Sequence, residues 1–308
     1  MTLRDLAMLM LLGAIWGSSF VFISLSVQAF GPVGLVVFRV LAAGAVLIAY
    51  ARMRGLRLAL RPHWRRFILL GSLNAAAPFV LIAYAQLTLP ASFASIMNSI
   101  TPMFAAVLSV FFLGEALTAK RLVGLALGVV GVSLVVGWSP FGLTPQVVVS
   151  IAAMIAASLC YALGTIYARR AFSGVPTMTM AVGQQLGAGV VLLPLAAVNL
   201  PTSMTLEALL AASALALLGT AFAYQLYFTL VRRVGPTNTA TVTLIVPMFG
   251  VLWGVLLLRD PITWGTLIGF GVILSSLVLT TGFSPTALWR PTPAPPPLSS
   301  TVHERIVR

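Results

Sequence analysis

Residues 100–118 of this 308-residue chain read ITPMFAAVLSVFFLGEALT, and residues 245–263 read IVPMFGVLWGVLLLRDPIT. The second stretch begins 145 residues after the first and aligns with it without a gap, and 7 of the 19 aligned positions are identical. The same spacing continues outside this stretch, where LAAGAVL at 41–47 aligns with LGAGVVL at 186–192. The chain therefore contains an internal repeat that covers most of its length.

The composition is that of an integral membrane protein. Hydrophobic residues make up 60% of the chain and charged residues only 7%, whereas a soluble domain carries about 25% charged residues. The formal net charge is +13, but the basic residues lie in short loops between apolar segments, so we expect no nucleic-acid partner. Cys160 is the only cysteine, and both histidines lie outside the apolar segments. We therefore expect no disulfide, no metal site and no cofactor.

Ten segments are apolar and long enough, at about 20 residues, to cross a bilayer as helices. They cover residues 5–27, 33–51, 66–87, 91–113, 119–138, 147–168, 177–198, 207–231, 237–258 and 263–283. The sequence thus predicts an all-α integral membrane protein with ten transmembrane helices joined by short loops. Residues 286–308 are rich in proline and predict a disordered tail.

The basic residues indicate how these helices are oriented. If the N-terminus is cytoplasmic, all of the 18 Lys and Arg residues except Arg39 and Arg259 fall on the cytoplasmic side. Short loops that are rich in Lys and Arg stay in the cytoplasm. We therefore expect both termini in the cytoplasm of a multi-pass inner-membrane protein.

The repeat divides the chain into residues 1–141 and 142–285, each with five of the predicted helices. Because five is odd, the two units cross the membrane in opposite senses. Inverted repeats of this kind occur in secondary transporters, which bind substrate between the repeats and expose the site to each side in turn. Gene duplication also produces symmetric proteins that transport nothing, but little of this chain lies outside the membrane to do anything else. We therefore expect two inverted five-helix repeats around a central cavity, and a transporter of a small molecule.

These features resemble a known family, the drug/metabolite transporter superfamily of EamA type. The resemblance rests on WGSSF at 16–20, on a mid-helix proline followed by LGEALT at 113–118, and on the duplicated five-helix unit. It implies a ten-helix carrier, and many bacterial members export amino acids or other metabolites. Within the family the chain looks most like the YddG-type exporters of aromatic amino acids, and another metabolite or a drug is the alternative cargo. The second repeat departs from the pattern, with Arg-Asp-Pro at 259–261 in place of Gly-Glu-Ala at 114–116.

Polar side chains within the apolar segments are the best candidates for lining a cavity, because polar groups in lipid are costly unless they face protein or water. Several share a helix face at spacings of three, four or seven residues. The predicted substrate-binding residues are Trp16, Ser19, Asn74, Tyr84, Ser95, Asn98, Tyr161, Gln185, Thr220, Tyr224, Tyr227 and Thr243. Each has a structural alternative, since hydroxyls bond to their own helix, amides join helices and tyrosines lie at membrane interfaces.

Prolines and one arginine also stand out within the apolar segments. Pro78, Pro102 and Pro247 predict helix kinks that contribute to gating. Arg39 is the only charged residue well inside a segment. Three roles are open to it: it receives a substrate carboxylate, caps helix carbonyls, or extends outward to the interface. We favour a structural role, because its repeat mate Gln184 is uncharged.

Two pairs of glycines, Gly124 with Gly128 and Gly265 with Gly269, follow the GxxxG pattern in the fifth and tenth segments. This pattern allows close helix packing. The packing lies either within the chain or between two copies, so both a monomer and a homodimer are compatible with the sequence.

No acidic residue lies inside an apolar segment. The five acids, Asp5, Glu115, Glu207, Asp260 and Glu304, lie at helix ends, in loops or in the tail. Carriers driven by protons or sodium usually keep an acid within the membrane, so we expect uncoupled, facilitated efflux by alternating access. An intramembrane enzyme is disfavoured, because no acid or histidine at membrane depth would activate a nucleophile. A phosphate dianion needs several basic residues, so we expect neutral or zwitterionic cargo, such as amino acids including aromatic ones.

Overall fold

The computed structural model describes residues 1–196 and 204–281, and these residues contain helices and no strands. The α-helices are α1 (Leu3–Met53), α2 (Trp64–Gly71), α3 (Ala77–Ala85), α4 (Ala91–Asn98), α5 (Thr101–Leu113), α6 (Ala119–Gly137), α7 (Pro145–Ala171), α8 (Thr177–Ala196), α9 (Leu206–Ala216), α10 (Ala223–Ala240), α11 (Val242–Leu258) and α12 (Trp264–Thr281). A 3₁₀ turn spans Arg61–His63, and π-helical segments span Ser72–Ala76 and Leu217–Phe222. The predicted tail at 286–308 lies outside the described residues.

Nine helical stretches within residues 1–196 and 204–281 are long and apolar enough to cross a membrane. The first is α1, whose 51 residues would extend about 77 Å at 1.5 Å per residue, more than twice the roughly 30 Å thickness of a hydrocarbon core. It is divided at Gly31, where φ of 67° and ψ of 160° leave the helical region, and Pro32 follows. Proline suits the first turn of a new helix. This break lies between the first two predicted segments, 5–27 and 33–51.

The fourth predicted segment is broken where α4 ends at Asn98 and α5 begins at Thr101. Pro102 has no N–H to donate to the carbonyl of Asn98, and the hydroxyl of Thr101 donates to that carbonyl instead, at 2.8 Å. Pro78 lies directly after a π segment, in the first turn of α3. Helix α11 continues through Pro247 without interruption. Two of the three predicted kink prolines therefore lie beside irregular backbone.

Local structure recurs at the spacing of the sequence repeat. The segments Ser72–Ala76 and Leu217–Phe222 are both π-helical and begin at equivalent repeat positions. Gly114 and Arg259, which end α5 and α11, both have left-handed backbone, with φ of 68° and 57°. The acidic residue after each donates its N–H to the carbonyl six positions back, at 3.3 Å and 3.1 Å respectively. The two copies of the opening stretch thus end their helices in the same way.

The predicted glycine pairs lie in one interface within the chain, between α6 and α12. A side chain at Gly269 would meet the backbone of Gly131 and Val135, and one at Gly124 would meet Thr280. Glycine lets helix backbones approach closely, so these residues join the last helix of each sequence repeat. The second half of α1 packs against α8, where Gly44 lies beside Gln185 and Leu41 beside Gly189. That packing surrounds Arg39.

Candidate functional site

Arg39 is buried inside the helix bundle, with 7% of its surface exposed. Its Nε donates a 3.0 Å hydrogen bond to Oγ1 of Thr220, and the guanidinium carbon lies 3.7 Å from the ring centre of Phe79. A guanidinium over an aromatic face is attracted to its π electrons. These two contacts hold the Arg39 side chain between α1, α3 and the π segment Leu217–Phe222.

A chain of side-chain hydrogen bonds links three more helical stretches close to Arg39. Nδ2 of Asn74 donates to Oε1 of Gln184 at 3.2 Å, and Nε2 of Gln184 donates to the hydroxyl of Tyr224. Tyr161 packs against Phe79, the ring that Arg39 covers, with ring centres 6.2 Å apart, and Tyr224 follows Thr220 by four residues. The guanidinium and the amide–tyrosine chain therefore form one polar cluster, which we call the central cluster: Arg39, Asn74, Phe79, Tyr161, Gln184, Thr220 and Tyr224.

Each π segment supplies one residue to the central cluster. Asn74 lies in Ser72–Ala76 and Thr220 in Leu217–Phe222. The hydroxyl of Thr220 donates to the carbonyl of Leu215, five positions back, at 3.1 Å, so it meets a backbone acceptor as well as Arg39. A π turn shifts the side chains that follow it around the helix axis, and such turns are frequent at functional sites.

Aromatic rings surround the polar groups. The ring centres of Phe79 and Tyr161 are 6.2 Å apart, those of Tyr224 and Phe228 are 5.8 Å apart, and those of Trp16 and Tyr227 are 5.7 Å apart. Such rings provide apolar surface for ligand rings or alkyl chains. The arrangement suits a ligand with one polar end and one apolar or aromatic end.

A cavity of about 140 Å³ lies next to this cluster, and Phe228, which lines the cavity, stacks on Tyr224 of the cluster. Its lining is polar and basic: Tyr50, Arg54, Leu56, Thr177, Met178, Gln225, Phe228, Thr229 and Arg232. The cavity therefore places two basic side chains, Arg54 and Arg232, near a ring that stacks on Tyr224.

A second group of predicted residues has buried polar side-chain atoms without hydrogen-bond partners among the described residues. Ser95 is 1% exposed, and its hydroxyl has no hydrogen-bond partner in the part of the chain that the structure describes. The same holds for Oδ1 of Asn98 and for both side-chain polar atoms of Gln185. Buried polar atoms usually have partners. Asn98 also ends α4, next to the break before α5, so its position fits a residue that meets a ligand.

Four further predicted residues lie outside the central cluster. Tyr84 is 43% exposed, and Thr243 is exposed and donates to the carbonyl of Ala240 at 2.8 Å. Ser19 is buried and bonds to its own helix, donating to Ile15 at 3.3 Å. Tyr227 contacts Trp16 and Phe228 on the cluster's edge. Trp16, which is partly buried, also lies outside the cluster. The predicted residues within the cluster are Asn74, Tyr161, Thr220 and Tyr224.

Three residues of the central cluster were missing from the predicted site: Arg39, Gln184 and Phe79. Arg39 carried a clear signal as the only charge well inside an apolar segment, although the sequence favoured a structural role. Gln184 stands beside the predicted Gln185 in sequence, and only the helix rotation decides which of them faces Arg39. Phe79 is one apolar residue among many, so nothing in the sequence distinguishes it.

Two acids among the described residues form ion pairs at helix ends. Asp5 binds Arg233 at 2.6 Å, and Glu115 binds Arg121 at 3.1 Å and Arg169 at 3.4 Å. A hydrogen bond from the Ser109 hydroxyl, assisted by these two arginines, lowers the pKa of Glu115.

Asp260 also bonds to a residue that is distant in the sequence. Its Oδ2 accepts a hydrogen bond from the backbone N–H of Ser92 at 2.7 Å. In residues 1–196 and 204–281, no three His, Cys, Asp or Glu side chains form a metal-binding group. The chemistry of the central cluster is that of a guanidinium, amides, hydroxyls and aromatic faces. Such groups bind a small organic molecule by charge, hydrogen bonding and stacking.

Known proteins resemble this chain, some over most of its length and one over part of it. The inner membrane transporter YedA of Escherichia coli (strain K12) is 29% identical over 272 residues, which cover 87% of each chain. A probable terminal-alkyne amino-acid exporter of Streptantibioticus cattleyicolor is 30% identical over 123 residues, covering 39% of this chain and 40% of the exporter. A protein of known crystal structure shares the fold, with a TM-score of 0.64 at 19% identity, over 91% of this chain and 97% of that protein.

The model of the EamA-like transporter family matches the chain twice, over residues 4–137 and again over residues 148–282. The two matches leave out little besides the residues between them and the C-terminal tail. They include every residue of the central cluster. The chain therefore belongs to the EamA-like transporter family, within the drug/metabolite transporter superfamily.

Proposed function

We propose that this protein exports small neutral or zwitterionic metabolites, chiefly amino acids including aromatic ones as in YddG-type exporters, across the bacterial inner membrane. The observation that carries the proposal is the central cluster, where Arg39, Gln184 and Tyr224 present polar groups beside aromatic rings. An amino acid with an apolar side chain has the same division into a polar and an apolar end. The similarity to YedA, an inner membrane transporter, supports the proposed location. The similarity to the amino-acid exporter of Streptantibioticus supports the proposed cargo.

We further propose ten membrane-spanning helices, arranged as two inverted five-helix repeats over residues 1–141 and 142–285. The break at Gly31 supports two spans within α1. The recurrence of π segments and helix ends at the repeat spacing, and the two family matches, support a repeated unit. A five-helix unit that recurs directly must reverse its direction across the membrane. Such a pair of repeats is suited to alternating access.

Contacts between distant loops support an orientation with both termini in the cytoplasm. Asp5 pairs with Arg233, and Arg66 donates to the carbonyl of Ala171 at 3.2 Å. Glu115 joins Arg121 and Arg169, as described above. These pairs bring loops rich in Lys and Arg to one end of the bundle, as the positive-inside rule requires of the cytoplasmic side.

We propose that efflux is uncoupled, with substrate moving down its own gradient. The described acids support this, because Asp5, Glu115 and Asp260 are held at helix ends by basic side chains or backbone N–H groups. None of their hydrogen bonds or ion pairs reaches the central cluster. A proton-driven carrier would need a group that titrates near neutral pH on the substrate path.

The test is transport by purified protein in liposomes, with a panel of radiolabelled amino acids and no imposed gradient of protons or sodium. We expect equilibration of at least one apolar or aromatic amino acid. Tyr224→Ala and Asn98→Ala should lower the rate by about tenfold, the loss typical of one buried hydrogen bond. Tyr84→Ala, on the exposed surface, is the matched control and should transport at the parent rate.

Two results would contradict the proposal. If no amino acid equilibrates in protein-containing liposomes, the cargo is wrong. If an inward proton gradient drives accumulation that a protonophore abolishes, uncoupled transport is wrong, although the central cluster could still hold the cargo.

A further inference from the structure

The hydrogen bonds of Arg39 leave the outer end of its guanidinium group free. Nε is used by Thr220, and one face of the group is covered by Phe79. The two terminal nitrogens, Nη1 and Nη2, donate no hydrogen bond within residues 1–196 and 204–281. An arginine has five N–H donors, so the contacts that hold the side chain use only one of them. Four donors, in a fixed planar arrangement, stay available for a ligand.

Arg39 also lacks a negative partner among the described residues. The ion pairs of the described acids are made with Arg121, Arg169 and Arg233, and none is made with Arg39. A buried charge without a partner is costly, by several kcal/mol in real proteins. A protein that needed Arg39 only for packing would be more stable with an apolar side chain there. The position is therefore better explained by an anion that binds to it.

We propose that Arg39 is the receptor for the carboxylate of the transported substrate, and that this carboxylate, rather than an amino group, determines recognition. The planar pair of terminal nitrogens matches the two oxygens of a carboxylate. No acid of the described residues reaches the central cluster to receive an ammonium group. The inference rests on the proposed function in one respect, that the ligand of the cluster is the cargo.

The number of charges restricts the ligand further. One guanidinium balances one negative charge, whereas a phosphate dianion requires several basic groups. Two other basic side chains, Arg54 and Arg232, line the neighbouring cavity and do not belong to the central cluster. The rings of Phe79, Tyr161 and Tyr224 lie beside the guanidinium. The ligand class is therefore a monocarboxylate with an apolar or aromatic body, with or without an amine.

Three small probes separate the carboxylate from the amine. Phenylalanine has both groups, 3-phenylpropanoate has only the carboxylate, and phenylalaninamide has only the amine. Binding to the detergent-purified wild type is measured by isothermal titration calorimetry and by the shift in thermal unfolding. We expect both acids to bind and to raise the unfolding temperature, and 3-phenylpropanoate to bind at least as tightly as phenylalanine. We expect the affinity for phenylalaninamide to be at least about tenfold weaker, the loss expected for a hydrogen bond to a charged group.

Arg39→Gln tests the residue, with Arg66→Gln as the matched control. Arg66 also donates a hydrogen bond to a protein group, the backbone carbonyl of Ala171, but it lies in α2 and its side chain is exposed. Arg39→Gln should weaken binding of 3-phenylpropanoate by about 10- to 100-fold, and Arg66→Gln should not change it. Without ligand, Arg39→Gln should unfold at the same temperature as the wild type or higher, since a buried unpaired charge is removed.

Several outcomes would overturn the inference. They are equal binding of the amide and the acids, failure of both acids to bind the wild type, and acid binding by Arg39→Gln within threefold of the wild type. The first two need no variant, so they decide the matter even if Arg39→Gln misfolds. Phenylalanine transport that survives Arg39→Gln overturns this inference but leaves the proposed function standing. Carboxylate binding through Arg39 without transport of any amino acid overturns the proposed function alone.

Discussion

Replacement of Gly269 by alanine should separate α6 from α12. A Cβ atom at this position would lie 2.8 Å from the backbone nitrogen of Val135 and 2.9 Å from the carbonyl oxygen of Gly131. Both neighbours are backbone atoms, so neither can rotate away as a side chain would. Gly271, two residues further along α12, has nothing within 4 Å of an added Cβ. The two glycines thus form a matched pair on one helix.

The expected cost follows from the distances. To remove contacts as short as 2.8 Å, the two helices must move apart by about 0.5–1 Å. A gap of this size costs each neighbouring atom pair about a quarter to a half of its dispersion energy. Overpacking of this kind typically costs about 1–3 kcal/mol. At Gly271 the alanine meets no obstacle, and the better helix propensity of alanine favours folding by up to about 1 kcal/mol. The two variants should therefore change the free energy of unfolding in opposite directions.

Thermal unfolding in detergent measures the difference, with a dye that fluoresces on reaction with thiols. Cys160 is the only cysteine in the chain and is partly buried, so its reaction reports unfolding. We expect a lower midpoint for Gly269→Ala and an equal or higher midpoint for Gly271→Ala. Equal midpoints for the two variants would refute the close approach of α6 and α12 at Gly269.

Three further predictions concern charges and backbone. Glu115→Gln should be less stable than the wild type at pH 7, by less than about 1 kcal/mol because the carboxyl is partly exposed. The pKa of Glu115 in the folded protein lies below its ordinary value of 4.5. The ionised carboxyl therefore stabilises the fold above pH 4.5, and this stabilisation is lost as the pH falls through the lowered pKa. The unfolding midpoints of the wild type and Glu115→Gln should consequently converge in acid. Arg259→Gly should raise stability by about 1 kcal/mol, because a left-handed backbone is strained for any residue except glycine, and an unchanged unfolding midpoint would contradict this. With Cys160 replaced by alanine, cysteines at Arg57 and Ser139 should react oppositely with an impermeant thiol reagent on intact cells, and labelling of position 57 would overturn the proposed orientation.

Much of the fold follows from the sequence, because apolar length and turn residues act locally. The Gly31–Pro32 pair explains why α1 is divided, and Pro102 explains the gap between α4 and α5. The π segments are a different case, since an extra residue in a turn depends on what packs against it. Helix-face reasoning that assumes 3.6 residues per turn fails beyond such a segment, and Tyr84, which follows Ser72–Ala76, is exposed.

The site was less predictable because its contacts join distant parts of the chain. Arg39 meets Thr220 across 181 positions, and Asn74 meets Gln184 across 110. A polar residue in an apolar segment indicates only that some partner exists. Spacing predicts Thr220, Tyr224 and Thr243 alike. Thr220 and Tyr224 belong to the cluster, whereas Thr243 is exposed and bonds only to the backbone of nearby Ala240. The rotation and packing of the helices decide between these outcomes.

The lone guanidinium of Arg39 also gives the membrane potential a charge to act on. Arginine stays protonated in proteins, and no ion pair of the described residues cancels this charge. Movement of one charge through 100 mV is worth about 2.3 kcal/mol, so a displacement across a third of the field would shift a two-state balance about fourfold. An inside-negative potential would favour the state with Arg39 nearer the cytoplasm. A bound monocarboxylate without an amine would cancel that preference, whereas a zwitterionic amino acid, which has no net charge, would leave it in place. Transport of these two kinds of substrate would therefore depend differently on the membrane potential.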